Sequence, residues 1–335
     1  MGISIIIPNY AEENNLIKCI TLINKQQFKK KNIEIIVAEG KKKFKKIKKK
    51  FPFKIKQIYL GHPTNQEARK YLAIKFCKFK FLCFLDSDNF VFKKNFFKIH
   101  YESLKMKNIS FSYCKYYGYD DVNGWVNKYF SAIGGNDPIA YFFNKNDRLP
   151  YKSKLNYNSN INIKHSYKNF TILEYKKINK TIGANGFFVK KKIYLNIKNL
   201  NPKSFLHIDT NIKLLNNQKI KKFALVNSEI VHETSGGLFK NLRKRINYFN
   251  KFYYNIYKKR DFKIFDRNKK EDVFKLILLI LSSASIIYPF MFSIYKVLKT
   301  RKLAWMLHTI LINLFILTYT YISLKLIIKN LPFKN

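Results

Sequence analysis

Cysteine and acidic residues are what this sequence has little of. Its four cysteines, Cys19, Cys77, Cys83 and Cys114, include no CxxC pair, so the pattern of a dithiol or zinc site is missing. Three of them sit in apolar segments, where a thiol is a small hydrophobe, and all four are expected to be reduced and structural. Only 20 Asp and Glu stand against 65 Lys and Arg, a net charge of +45. Such an excess ordinarily points to nucleic acid or an anionic membrane surface. Here it is mostly Lys, runs through the whole chain and accompanies abundant Asn, Ile, Phe and Tyr, all served by AT-rich codons. Coding bias therefore accounts for much of it, and no nucleic-acid motif is present. The first residues, MGISIIIPNY, lack both a basic n-region and an apolar run long enough for a signal peptide. Residues 1 to about 270 are expected to stay in the cytosol.

What is present is enough apolar content, 47% of 335 residues, for one large domain or two ordinary ones. The first hundred residues alternate short β-type runs (ISIIIP, IEIIVAEG, KIKQIYLG, FKFLCFLDSD) with helical patterns, which argues for a parallel sheet covered on both faces. Ala68, Leu72 and Phe76 recur at helical spacing after the turn GHPTN, predicting a helix over 66–78 that packs on that sheet. The run KKKFKKIKKK at 41–50 reads as a solvated helix face or loop.

Ligands of such sheets bind outside the carboxyl ends of the strands, and FLCFLDSDNF at 81–90 puts Asp86 and Asp88 at one such end. A hard divalent cation carrying a diphosphate takes a carboxylate or two and fills its remaining positions with phosphate oxygens and water. The pair fits that chemistry; an acidic helix cap followed by Asn89 fits the same residues.

Residues 238–260 place Phe239, Leu242, Ile246, Phe249, Tyr253 and Ile256 at steps of three and four, with Arg243, Lys244, Arg245 and Lys251 between them. That is a basic amphipathic helix suited to an anionic membrane surface or to packing on the domain. Two uncharged apolar runs follow, 276–295 and 303–324, each long enough to cross a hydrocarbon core of about 30 Å. Two crossings put the connection KVLKTRK on the far side, against the positive-inside rule. Pro289, Ser282, Ser283 and Ser285 permit a kinked or re-entrant hairpin instead. Two spans are the expectation.

In order, IIIPNYAEENNL, EIIVAEG, NQEARKYLAI, FLDSDN, GANGFFVKKKIY and HIDTNI, with VHETSG after them, resemble the family 2 glycosyltransferases of GT-A fold, membrane-attached bacterial type. The resemblance covers about residues 3 to 250. It implies an α/β fold with a Rossmann-like mixed sheet, helices on both faces and C-terminal transmembrane helices. The division expected is 1–237 for the GT-A domain, 238–272 for the basic membrane-surface region and 273–328 for two hydrophobic helices.

The resemblance further implies that Pro8, Tyr10 and Glu12 line a nucleotide pocket with Glu39 facing the base, where the family usually has Asp. Arg69 lies near the diphosphate, although the Asn that commonly follows is Lys70 here. Asp86 meets ribose or sugar, Asp88 holds Mg²⁺ or Mn²⁺, and His232, with Asp86, completes the metal site. Gly183, Asn185 and Gly186 form a loop that lets backbone approach the sugar. Asp209 is the general base that takes the acceptor proton as the anomeric carbon inverts, with Ile208 where the family often has Glu. The segment 131–150 shapes the acceptor side, with Asn136, Asp137, Asp147 and Arg148 as polar candidates or turn formers. The partners implied are a nucleotide-diphospho-sugar donor, a lipid-linked or saccharide acceptor and membrane lipids, at the cytoplasmic membrane with the catalytic domain facing the cytosol and no nucleic acid. A processive polysaccharide synthase is disfavoured because RKRINYF lacks the Gln and Trp of that group. A non-enzymatic basic membrane-associated binding protein is the reading from another class.

Overall fold

The computed structural model describes the chain apart from residues 1, 11, 63–64, 154–160, 176–184, 198–200, 202–204, 218–221, 235–236, 250–259 and 331–335. The strands are β1 (Ile3–Asn9), β2 (Ile33–Glu39), β3 (Lys54–Tyr59), β4 (Phe81–Phe84), β5 (Asn89–Phe90), β6 (Ile109–Tyr117), β7 (Ile161–Ser166), β8 (Phe170–Tyr175), β9 (Phe187–Lys190) and β10 (Lys222–His232). The helices are α1 (Glu13–Asn24), α2 (Gln66–Ala73), α3 (Phe96–Lys105), α4 (Trp125–Ile133), α5 (Pro138–Phe142), α6 (Lys191–Leu195), α7 (His207–Asn216), α8 (Gly237–Phe249), α9 (Lys270–Ala284), α10 (Ile287–Thr300) and α11 (His308–Asn330).

The strands form one sheet in the order β3-β2-β1-β4-β9-β6-β10-β8-β7, with β5 paired to β10. The first four pair in parallel. β9 then runs antiparallel between β4 and β6, so the sheet is mixed, as the resemblance implies. Alternation along the strands splits the apolar residues between two layers. Ile3, Ile5 and Ile7 of β1 pack with Leu16, Cys19 and Ile20 of α1 and Phe96 and Phe97 of α3. Ile6 and Ile36 face the other way, toward Ala73 of α2 and Ile212 and Leu215 of α7. All four cysteines are buried and free, and burial pushes the Cys19 and Cys83 thiols up, away from reactivity.

The predicted helix at 66–78 is α2 followed by a single 3₁₀ turn, Ile74–Phe76. Its buried face is not the apolar stripe alone, since Glu67, Arg69 and Lys70 are buried with Ala68 and Ala73. The lysine run at 41–50 is an irregular, largely exposed loop.

A third apolar cluster joins Tyr129, Phe130 and Ile133 of α4 and Ile139 of α5 to Leu279, Trp305, Leu311, Ile312 and Phe315 of the C-terminal helices. Tyr129 Oη meets His308 Nδ1 at 2.8 Å. The stretch Leu303–Lys325 is long and apolar enough to cross a membrane by length and composition. The first apolar run is different: α9 and α10 meet at 93°. The break falls at Ser285 and Ile286, where Ile286 takes φ +56° and the Ser285 hydroxyl donates to Ser282 O and accepts from Tyr288 N. Pro289 sits in the first turn of α10, where its missing N–H costs nothing.

By length and composition the C-terminal region holds one helix able to cross a membrane, or two if the bent pair counts as one span. In the connection after α10, Lys302 Nζ pairs with Asp120 at 2.6 Å and lies 4.4 Å above the Tyr119 ring, while Ala304 N donates to Tyr119 Oη. The basic connection is therefore tied to the sheet domain through Asp120 and Tyr119.

Gly134 ends α4 at φ +72°, and a Cβ there would lie 2.6 Å from the carbonyl oxygens of Arg148 and Leu149. Gly134→Ala combines a left-handed backbone with a clash against main chain. It is expected to cost about 2–3 kcal/mol, read as a lowered unfolding midpoint in urea.

Candidate functional site

The carboxyl ends of β1, β2 and β4 converge, and their side chains form the candidate site. Asn9 and Glu39 are paired across β1 and β2, and the Asn9 amide donates to both Glu39 oxygens, at 3.2 and 3.0 Å. Gln57 of β3 adds a third bond to Glu39 at 3.1 Å. Glu39 is thus held by its neighbours and borders a cavity of about 200 Å³ lined by Asn9, Glu13, Leu16 and the lysine loop. A larger hollow of about 300 Å³ lies at the opposite end of β2, around Lys30, Ile33 and Phe53, away from the aspartates.

Pro8 is buried within β1, whereas Tyr10 is exposed. Glu12 accepts from Ser87 Oγ at 3.3 Å, which ties the first loop to the aspartate turn. Gly40 leaves room for Arg69: a Cβ there would lie 2.7 Å from the guanidinium and 3.0 Å from the Tyr10 ring. Arg69 Nη1 donates to His62 O at 2.6 Å. Burial lowers the Arg69 pKa, and Asp86 and Glu39 lie close enough to oppose it.

Asp86 and Asp88 differ in their surroundings. Burial pushes the Asp86 carboxyl up, opposed by Lys70, whose Nζ is 2.9 Å from Asp86 Oδ1. Burial also acts on Asp88, but His232 outweighs it and holds that carboxyl below its ordinary value, with Lys244 of α8 adding to the effect. His232 is raised in turn: burial disfavours its imidazolium, and Asp88 reverses this. The two meet at 3.6 Å because β5 pairs antiparallel with the end of β10, setting His232 opposite Asn89.

Among the described residues no group of three or more His, Cys, Asp and Glu side chains is placed to hold a metal ion. Asp88 with His232 offers two ligands, which suits a divalent cation whose other positions come from a diphosphate and water.

The structure brings Asp209, and Asn185 and Gly186 of the glycine loop, to this end of the sheet. Asp209 lies in the first turn of α7. Its Oδ1 accepts from Arg260 Nε (2.9 Å), Asp261 N (2.9 Å) and Phe262 N (3.0 Å), and Arg260 Nη2 is 2.8 Å from Oδ2. Arg260 is 51 residues away in sequence, so no local pattern announces it. Gly183 lies outside the described residues. Asn185 is buried and its carbonyl accepts from Arg148 Nη2. Gly186, at φ +61°, leaves no space for a Cβ against Ile230, 2.7 Å away.

Arg148 is itself stacked near Tyr113 and Tyr117, at 5.1 and 5.4 Å, and pairs with Asp147 at 3.1 Å. Asp137 caps α5 through Ile139 N and Ala140 N and also receives Tyr319 of α11. Asn136 accepts from Arg245 of α8. The polar residues of 131–150 therefore brace the glycine loop and the C-terminal helices.

The comparisons agree with this architecture. The structure is similar to that of a mannosyltransferase, PcManGT from Pyrobaculum calidifontis in complex with GDP-Man and Mn²⁺, with a TM-score of 0.52 and 9% identity over 96% of this chain and 86% of that one. It is also similar to S. aureus TarS 1–349 in complex with UDP-GlcNAc, with a TM-score of 0.44 and 11% identity over 85% and 81% of the two chains. No curated protein matches the sequence. A family model described as Glycosyl transferase family 2 matches residues 4–179, a span that contains the Glu39, Arg69, Asp86 and Asp88 cluster and ends before Asp209 and His232. With that match over more than half of its length, the chain belongs to glycosyl transferase family 2.

Proposed function

We propose that the protein transfers a sugar from a nucleotide-diphospho-sugar to a lipid-linked or saccharide acceptor at a membrane surface, with inversion at the anomeric carbon. The observation that carries this reading is the pair Asp86 and Asp88 at the end of β4, with His232 against Asp88, in a family 2 chain. The Pyrobaculum calidifontis mannosyltransferase of similar fold holds GDP-Man and Mn²⁺, the class of ligands proposed here.

The donor's base sits in the cavity beside Glu39, and its diphosphate lies by Arg69, whose guanidinium the missing Gly40 side chain admits. Asp88 and His232 would hold a Mg²⁺ or Mn²⁺ ion, which would supply positive charge against the departing diphosphate. Asp209 takes the acceptor proton. Arg260 and the amides of Asp261 and Phe262 occupy Oδ1, which leaves Oδ2, met by Arg260 Nη2 at 2.8 Å, as the oxygen to accept that proton.

The membrane side is formed by α8 and the bent helices. Arg243 and Lys244 are exposed on α8. Phe274, Ile277, Leu281, Ile287, Met291 and Leu298 are exposed along α9 and α10, an apolar surface fit for lipid. The catalytic domain faces the cytosol.

Three outcomes test this. Detergent-solubilised protein with Mn²⁺, UDP-, GDP- and dTDP-sugars and membrane lipid extract is expected to release nucleotide diphosphate from one donor; Asp88→Ala should lose cation-dependent binding of that donor, and binding unchanged by the substitution removes Asp88 from the metal site. Asp209→Asn is expected to bind donor within about twofold of the parent and to slow transfer by about 10²-fold or more; near-native turnover excludes it as the base. With the bent pair read as a re-entrant hairpin, a maleimide applied to sealed vesicles should reach Thr300→Cys from the same side as Lys43→Cys; labelling from opposite faces would establish two spans.

A further inference from the structure

Lys70 of α2 is 1% exposed. Its Nζ lies 2.9 Å from Glu67 Oε1 and 2.9 Å from Asp86 Oδ1. Burial alone would strip such an ammonium of its proton, but Asp86 and Glu67 hold its pKa above the ordinary lysine value. The second Glu67 oxygen accepts from His207 N at 3.1 Å and meets His207 Nδ1. Leu206, which precedes α7, gives that helix no side-chain cap, so Glu67 supplies the anion at its N-terminus. A buried chain thus runs from the aspartate turn to the helix bearing Asp209: Asp86, Lys70, Glu67, His207.

We infer that Lys70 is a built-in counter-ion that commits Asp86 to a fixed orientation toward the donor and withholds it from the divalent cation, which is left to Asp88 and His232. Two carboxylates one residue apart would otherwise both turn to a cation. With an ammonium 2.9 Å from Asp86, a second positive charge beside that carboxylate is disfavoured by Coulomb repulsion in a poorly solvated place. Asp88 instead meets His232 at 3.6 Å, a side chain that the transferase reading makes a ligand of the same cation, and among the described residues it forms no ion pair with a lysine. Lys70 and Glu67 are positioning residues, since both act through neighbours. The inference rests on the transferase reading for the identity of the ligands.

The test uses the full chain in detergent and two probes: Mn²⁺ titrated without nucleotide and followed by electron paramagnetic resonance, and UDP, GDP and dTDP titrated calorimetrically with and without Mn²⁺. Lys70→Met keeps the length of the stem and removes the charge. It is expected to bind Mn²⁺ without nucleotide about tenfold more tightly, as Asp86 becomes a second carboxylate ligand, and to bind the nucleotide about tenfold more weakly. In an Asp86→Asn background Lys70→Met should change neither constant. Both constants within twofold of the parent in Lys70→Met, or the same shifts surviving in the Asp86→Asn background, overturn the inference.

If Lys70→Met fails to fold, melting midpoints decide. Recovery in Lys70→Met/Asp86→Asn, and not in Lys70→Met/Asp88→Asn, supports the pairing; no recovery overturns it. A parent protein that binds none of UDP, GDP and dTDP at any Mn²⁺ concentration defeats the transferase reading instead, and the Mn²⁺ titration then judges the Lys70 geometry by itself.

Discussion

Two backbone pairs, Val231 with Phe90 and His232 with Asn89, fix where the two halves of this chain meet. β10 runs through the sheet beside β6 and β8, and its last residues turn against the strand that leaves the aspartate turn. Glu233 N then donates to Asp88 O at 3.0 Å, and the Glu233 carboxylate takes Lys18 at 3.0 Å and Asn123 at 2.9 Å. Thr234 and Asn241 continue the seam to Asn127 and into α8. If this antiparallel contact were lost, His232 would leave Asp88 and α8 would lose its mooring. A two-residue strand carries that much because buried backbone groups have no cheaper partner.

Much of this was legible in the sequence. The alternation of apolar runs and helical patterns is a direct reading of strand and helix periods, and the order of the motifs located Asp86, Asp88, Glu39 and Arg69 at one edge of the sheet. The residues that were missed share a property: they are charged and buried. Lys70 and Glu67 look like surface positions on an amphipathic helix, because periodicity assigns charges to solvent. Their burial is set by a carboxylate sixteen residues on and by a histidine on another helix, contacts that exist only after folding. Arg260 escaped for the same reason.

The C-terminal half shows what composition alone leaves open. Length and apolarity are shared by a spanning helix and a bent pair, and the difference is decided by one residue at positive φ and a few hydroxyl bonds at Ser282 and Ser285. The ion pair of Lys302 with Asp120 ties the connection to the sheet domain, and neither residue is marked by its local sequence.

Asp137 takes α5, α8 and α11 together, through two amides, Arg245 and Tyr319. The tidy division into a catalytic part and a hydrophobic tail is therefore not a line along which the chain separates. A fragment ending after β10 would lay bare Phe130, Ile133 and Ile139, whose cover comes from Trp305, Leu311 and Phe315, and it would enter solution with an adhesive flank. The helices that suit lipid are also the lid of a protein core, so the enzyme is best purified with its tail.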